Sequence, residues 1–83
     1  MNYDINLSKI YLSCRRGMLE LDILLINFLK HEYNNMDEAL LKKFNLLLNE
    51  SDKDLHNWLI KKGKLENLNL SIIVDKINKF SEE

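Results

Sequence analysis

The sequence predicts an all-α protein, a single small domain of five helices over residues 1–83. The chain has no proline and only two glycines, Gly17 and Gly63, so few residues interrupt a helix. Apolar residues recur three and four positions apart, which is the spacing of one helix face. No alternating β-branched run bounded by turn residues indicates a strand. Because the connections are short, neighbouring helices should be antiparallel or steeply crossed.

The first two helices should meet near Gly17. The first is predicted from about Asn6 to Arg15, and the second from Met18 to about Glu32. One uninterrupted helix across both segments would be unusually long for so small a domain, and a glycine inside it would cost about 1 kcal/mol relative to alanine. The stripe that defines the second helix consists of Met18, Leu21, Leu25, Phe28 and Leu29.

The third and fourth helices begin at polar capping residues. Asn35, with Glu38 three residues on, forms a candidate capping box for a helix from about Met36 to Asn49. Ser51 or Asp52 can cap the fourth. The apolar residues predicted to face inward are Leu40, Leu41, Phe44, Leu47 and Leu48 in the third helix, and Leu55, Trp58 and Leu59 in the fourth.

Gly63 should end the fourth helix, because glycine takes the left-handed conformation without steric cost. Lys61, Lys62 and Lys64 suit the negative end of that helix and are read as a solvated helix end. The fifth helix is predicted from about Asn69 to Phe80. Its apolar positions are Ile72, Ile73, Ile77 and Phe80.

Composition argues against several classes of partner. Hydrophobic residues make up 46% of the chain, enough for one core, and 12 basic residues balance 13 acidic ones. A nucleic-acid partner is not expected, since phosphate binding needs a marked basic excess. The single cysteine, Cys14, cannot form an internal disulfide. With no leader peptide and no apolar run long enough to span a bilayer, we expect a cytoplasmic protein without membrane insertion.

Catalysis and metal binding are poorly supported. The candidate nucleophile and bases are Cys14, His31 and His56, which fall on three different predicted helices without an oxyanion-hole loop. The histidines have no partner at metal-ligand spacing, and no Rossmann or P-loop fingerprint indicates a stably bound cofactor. We therefore expect a protein that is not an enzyme. Trp58 is read first as a packing residue and second as a partner contact.

The segment CRRGMLELD, residues 14–22, is the most informative part of the chain. A break at Gly17 would leave cations at the end of the first helix and acids, Glu20 and Asp22, in the first turns of the second. If the helix instead continued, Arg16 and Glu20 could pair at a spacing of four residues. Such exposed pairs contribute roughly 0–1 kcal/mol, so stability alone does not explain these charges. A corner without a side chain at Gly17 also suits the close approach of a partner.

This segment resembles the signature of the succinate dehydrogenase assembly factor family, the small flavinylation factors. The family pattern Arg-Gly-x-x-Glu falls on Arg16, Gly17 and Glu20, and a frequent Leu-Asp extension matches Leu21 and Asp22. HEY at residues 31–33 and DKDLHNWLIKKG at residues 52–63 resemble later family blocks. The stretch SKIYLSC departs from the family, whose members often carry arginine, tryptophan or histidine there; this chain has Lys9, Tyr11 and Leu12.

The resemblance implies a five-helix assembly chaperone. Family members bind the flavoprotein subunit of succinate dehydrogenase, and in some bacteria that of fumarate reductase, and promote covalent attachment of its FAD. The factor itself would hold no stably bound cofactor and would act on the FAD of its client. The family is also sometimes labelled as the antitoxin of a toxin–antitoxin pair. An antitoxin-like or regulatory interaction module is therefore the alternative function.

The resemblance also implies a binding surface on this chain. We expect Arg16 to supply a donor fork, Gly17 clearance and Glu20 an acceptor for the client. The further residues expected to contact the partner are Arg15, Asp22, Lys9 and Trp58. We expect the free protein to be a monomer, with weak dimerisation left open.

Overall fold

The computed structural model describes the backbone of residues 3–83 and the side chains of residues 7–83. Within this range the chain forms five α-helices and no strand, which confirms the predicted all-α class. The helices are α1 (Tyr3–Ser13), α2 (Leu19–Glu32), α3 (Glu38–Leu47), α4 (Asp52–Leu59) and α5 (Leu68–Ser81), with a 3-10 turn (Tyr33–Asn35) between α2 and α3.

The core lies where α5 packs against α2, α3 and α4. Phe28 is at its centre, with ring centroids 5.6 Å from Phe44 and 5.5 Å from Phe80, the second contact being edge-on. Burying an aromatic ring of this kind contributes roughly 1.5–3 kcal/mol, so the helices hold together mainly through these faces. The other buried residues are Ile10, Cys14, Leu21, Leu25, Leu29, Leu47, Leu48, Leu55, Trp58, Leu59, Leu70, Ile73, Val74 and Ile77.

Two capping predictions differ from the structure. The N-cap of α3 is Asp37, whose side chain accepts a hydrogen bond from the Leu40 amide, and not Asn35. Asn35 does not cap α3 because it is the last residue of the 3-10 turn that follows α2. The extended backbone that a cap needs begins at Met36. Ser51 caps α4 as predicted, accepting from the Asp54 amide over 3.1 Å.

The end of α4 also differs from the prediction. The left-handed residue is Lys62, with φ of 57°, and Gly63 is not in that region. The Gly63 amide donates to the Asn57 carbonyl over 2.7 Å, which closes the helix end. The strain at Lys62 is offset by its ammonium, which donates to Asn78 Oδ1 and Ser81 Oγ on α5. Ile72, predicted to face inward, is 52% exposed.

Candidate partner-binding site

Arg16 holds together the corner formed by residues 14–22. Its Nε donates to Asp52 Oδ1 over 2.7 Å, and the two side chains form an ion pair. The Arg16 side chain is only 16% exposed. Nη1 donates to the carbonyls of Leu48 at 2.7 Å and Ser13 at 3.0 Å, and Nη2 donates to that of Glu50 at 2.8 Å. The guanidinium thus ties the end of α1 to the end of α3 and the start of α4, and satisfies carbonyls that helix ends leave without partners.

Asp22 fixes the backbone of the same corner. One carboxylate oxygen accepts from the Arg16 amide over 2.8 Å, and the other accepts from the Gly17 amide over 3.1 Å. Gly17 lies in the left-handed region with φ of +85°, where L-residues are strained. The backbone at this position therefore favours glycine, and the carboxylate of Asp22 on α2 holds that backbone in place.

The outer face of the corner is open. A Cβ atom added at Gly17 would meet no heavy atom of the described residues within 4 Å, apart from those of the adjoining residues, so the described part of the chain leaves that space open. Glu20 and Arg15 are exposed beside it, and Leu19 is 77% exposed. The Arg16–Glu20 pairing that a continuous helix would allow does not form, because the helix breaks at Gly17 and Arg16 pairs with Asp52. The five residues of the predicted signature therefore have different places: Arg16 and Asp22 build the corner, Leu21 is buried in the core, and Gly17 and Glu20 face outward.

The other predicted contact residues are spread more widely. Lys9 is exposed on α1, one turn before Ser13, whose hydroxyl donates to the Lys9 carbonyl. Trp58 is near the far end of α4 and is 9% exposed, so most of its ring packs in the core. The structure brings Arg15, Arg16, Gly17, Glu20 and Asp22 together in one corner, whereas Trp58 belongs to the buried core. Contacts of Lys9 and Trp58 with a partner stay predictions.

One residue that contacts the corner could not be expected from the sequence. The pattern predicts a helix cap at Asp52, whereas its carboxylate pairs with Arg16, which lies 36 positions earlier. Only the packing of α4 against the corner brings the two side chains together, so no local spacing could have indicated the pair. The nearest indication in the sequence is that Asp52 is the first residue of the DKDLHNWLIKKG block, which resembles a family block.

Cys14 is the first residue of the corner and is fully buried. Burial raises the pKa of its thiol from 9.0 to about 12; the Arg16 charge acts to lower it and the Asp22 charge to raise it. An unfolded thiol would ionise near 9.0, whereas the folded one stays protonated. This difference has no effect on stability below the unfolded pKa, and it lowers the free energy of unfolding as the pH rises between 9.0 and about 12, because the unfolded chain releases the proton more readily.

We expect Cys14 to resist alkylation in the folded protein. The raised pKa lowers its thiolate fraction at about pH 8 by roughly a thousandfold, and burial excludes the reagent. Iodoacetamide labelling followed by mass spectrometry should therefore track unfolding, with rapid labelling in denaturant. Labelling of the native protein as fast as that of the denatured chain would contradict the buried position.

Among side chains 7–83, no group of three His, Cys, Asp or Glu is placed to hold a metal ion. None of the helices within residues 3–83 has both the length and the apolar character that crossing a membrane requires.

Comparison with known proteins identifies relatives over most of the chain. A "FAD assembly factor SdhE" from Vibrio cholerae serotype O1 is 40% identical over 70 residues, which are 84% of this chain and 81% of that protein. The protein of the same name from Pectobacterium atrosepticum is 42% identical over 59 residues, 71% of this chain and 67% of its own.

A solved structure agrees with the fold. The solution structure of a UPF0350 protein superimposes with a TM-score of 0.73 at 37% identity, over 90% of this chain and 80% of that one. Residues 8–81 match the protein family described as "Flavinator of succinate dehydrogenase", and this range contains the whole corner. With its five helices, its Arg-Gly-x-x-Glu corner and these relatives, the chain belongs to the succinate dehydrogenase flavinator family.

Proposed function

We propose that this protein is an assembly chaperone that binds the flavoprotein subunit of succinate dehydrogenase and promotes covalent attachment of FAD to it. The observation that carries the proposal is the family match over residues 8–81, which includes a corner with an open outer face. The name "FAD assembly factor" borne by the relatives supports action on a flavin of the client. These relatives give no support to the antitoxin-like alternative.

The geometry suggests how the corner would act. Arg16 and Asp22 hold Gly17 in its left-handed conformation, so the corner is built before a client arrives. A preformed surface loses little entropy on binding. Gly17 offers a flat point for close approach, and the exposed carboxylate of Glu20 accepts hydrogen bonds from the client. Four of the five N–H donors of Arg16 are used within the corner, which leaves one Nη2 N–H for direct contact with a client.

In this proposal the chain works without chemistry of its own. It binds no cofactor stably, and it holds the client in a conformation that favours attachment of the client's own FAD. It acts in the cytoplasm as a monomer. Fumarate reductase, whose flavoprotein the family resemblance also names, is a second proposed client.

Co-expression with the cognate flavoprotein subunit tests the proposal. Covalent flavin is read by in-gel fluorescence after denaturation, with and without this chain. We expect wild type to raise the signal, and Glu20→Ala to lower it about tenfold because the client loses an acceptor of charge-assisted hydrogen bonds. Glu66→Ala, which removes an exposed acid in the loop before α5, is the matched control and should act like wild type.

Two outcomes would contradict the proposal. If the wild-type chain neither changes the amount of covalent flavin nor co-purifies with the flavoprotein subunit, the proposed function is wrong. Equal loss of signal in the Glu20 and Glu66 variants would show that the corner has no special part in it.

A further inference from the structure

A second feature adjoins the corner along α2. A groove of about 520 Å³ runs between α2, the end of α4 and the end of α5. Glu20 lies in its lining, so the groove continues the outward face of the corner. Its apolar lining includes Leu24, Ile60 and Phe80, which are half-buried, and Ile23, which is 51% exposed. An exposed isoleucine beside an apolar floor favours cover by another apolar group.

The charge of the groove restricts what can cover it. Glu20 and Glu83 both line it and are exposed. The one cation among the described lining residues is Lys62, whose ammonium donates to Asn78 Oδ1 at 2.9 Å and Ser81 Oγ at 2.8 Å and keeps its positive charge. The two carboxylates outnumber this ammonium, so the lining carries a net negative charge, which favours a cationic partner.

Two other occupants fit this charge poorly. A second copy of the chain placed on the groove about a two-fold axis would bring together two linings of the same net negative charge, and like charges repel. FAD carries a negatively charged pyrophosphate, which the same carboxylates would oppose.

We infer that this groove receives a segment of the client flavoprotein in which an apolar side chain is flanked by lysine or arginine. The apolar side chain covers Ile23 and the floor of the groove, and the cation meets Glu20 and Glu83. The inference rests on the proposed function, since it names the part of that client that extends the contact beyond the corner. Desolvated apolar anchors surrounded by polar groups are the usual source of affinity in such interfaces.

Photo-crosslinking tests the inference directly. The photoreactive residue p-benzoylphenylalanine is placed at position 23, or at position 72 as a matched control, because Ile23 and Ile72 are 51% and 52% exposed. Each variant is irradiated with the purified flavoprotein subunit, and the crosslinked peptide is identified by mass spectrometry. We expect crosslinks from position 23 only, to a client peptide with lysine or arginine within about four residues of the crosslinked apolar residue, the span of one helical turn.

Affinity measurements provide the second test. Ile23→Lys should weaken binding of the flavoprotein at least about tenfold, because it removes an apolar contact and repels the incoming cation, and Ile72→Lys should change it less than about twofold. Equal effects of the two variants, a crosslink to a second copy of this chain, or a client peptide without a basic residue would overturn the inference and leave the proposed function standing. Absence of any binding by wild type would overturn both.

Discussion

Replacing Arg16 with alanine should lower the free energy of unfolding by about 3 kcal/mol, and the melting temperature by roughly 15 °C. The variant loses four hydrogen bonds of the guanidinium and leaves the Asp52 carboxylate and three carbonyl oxygens without their donor. The free energy of unfolding of Arg16→Lys should fall between those of wild type and Arg16→Ala, because an ammonium cannot reproduce the planar fork of donors. Chemical denaturation followed by circular dichroism measures the difference.

The neighbouring residue provides the control. Arg15 is also an arginine and is exposed, so Arg15→Ala should change stability by less than about 0.5 kcal/mol. If Arg16→Ala proved as stable as Arg15→Ala, the guanidinium would not hold the corner. The two adjacent arginines should thus separate into one that builds the surface and one that is available to a partner.

Replacing Gly17 with arginine should abolish covalent flavin formation on the client while leaving the fold intact. Any L-residue at this left-handed position is strained by about 1–2 kcal/mol. Since no heavy atom of the described residues beyond the adjoining ones lies within 4 Å of the added Cβ, the new side chain should leave the corner towards its open face. Its bulk would instead meet the client that approaches the corner.

Gly17→Ala separates the two effects. It imposes the same backbone strain with almost no bulk, so its unfolding free energy should match that of Gly17→Arg, as measured by denaturant titration. Covalent flavin in co-expression should be largely retained with the alanine variant and lost with the arginine variant. Loss of signal with both variants in equal measure would attribute the effect to strain in the corner and not to blocked contact.

The helices could be predicted from the sequence because the spacing of apolar residues and the residues that end a helix are local features of the chain. The stripe of α2 and the serine cap of α4 depend only on residues within a few positions of one another. The α3 cap was misplaced because Asn35 and Asp37 are both good caps, and the choice depends on how far the 3-10 turn extends beyond α2. At the end of α4 the left-handed residue is Lys62, whose side chain is bound by α5, a tertiary contact that no local pattern contains.

The candidate site was predicted in part for the same reason. The Arg-Gly-x-x-Glu spacing indicated where the corner lies, but not which of its charges point inward. That distinction depends on Asp52 and on the carbonyls of Leu48 and Glu50, which reach Arg16 only when α3 and α4 pack beside it. The groove beyond Glu20 likewise depends on where α4 and α5 end, so it could not be predicted from residues 14–22 alone.

The central claim is that the outer face of the corner, at Gly17 and Glu20, is the surface that binds the client. It is tested most directly by titrating the purified flavoprotein subunit into wild type, Gly17→Ala and Gly17→Arg by isothermal calorimetry. We predict that the alanine variant binds within about threefold of wild type and that the arginine variant binds at least about 100-fold more weakly. Binding of Gly17→Arg as tight as that of Gly17→Ala would contradict the claim.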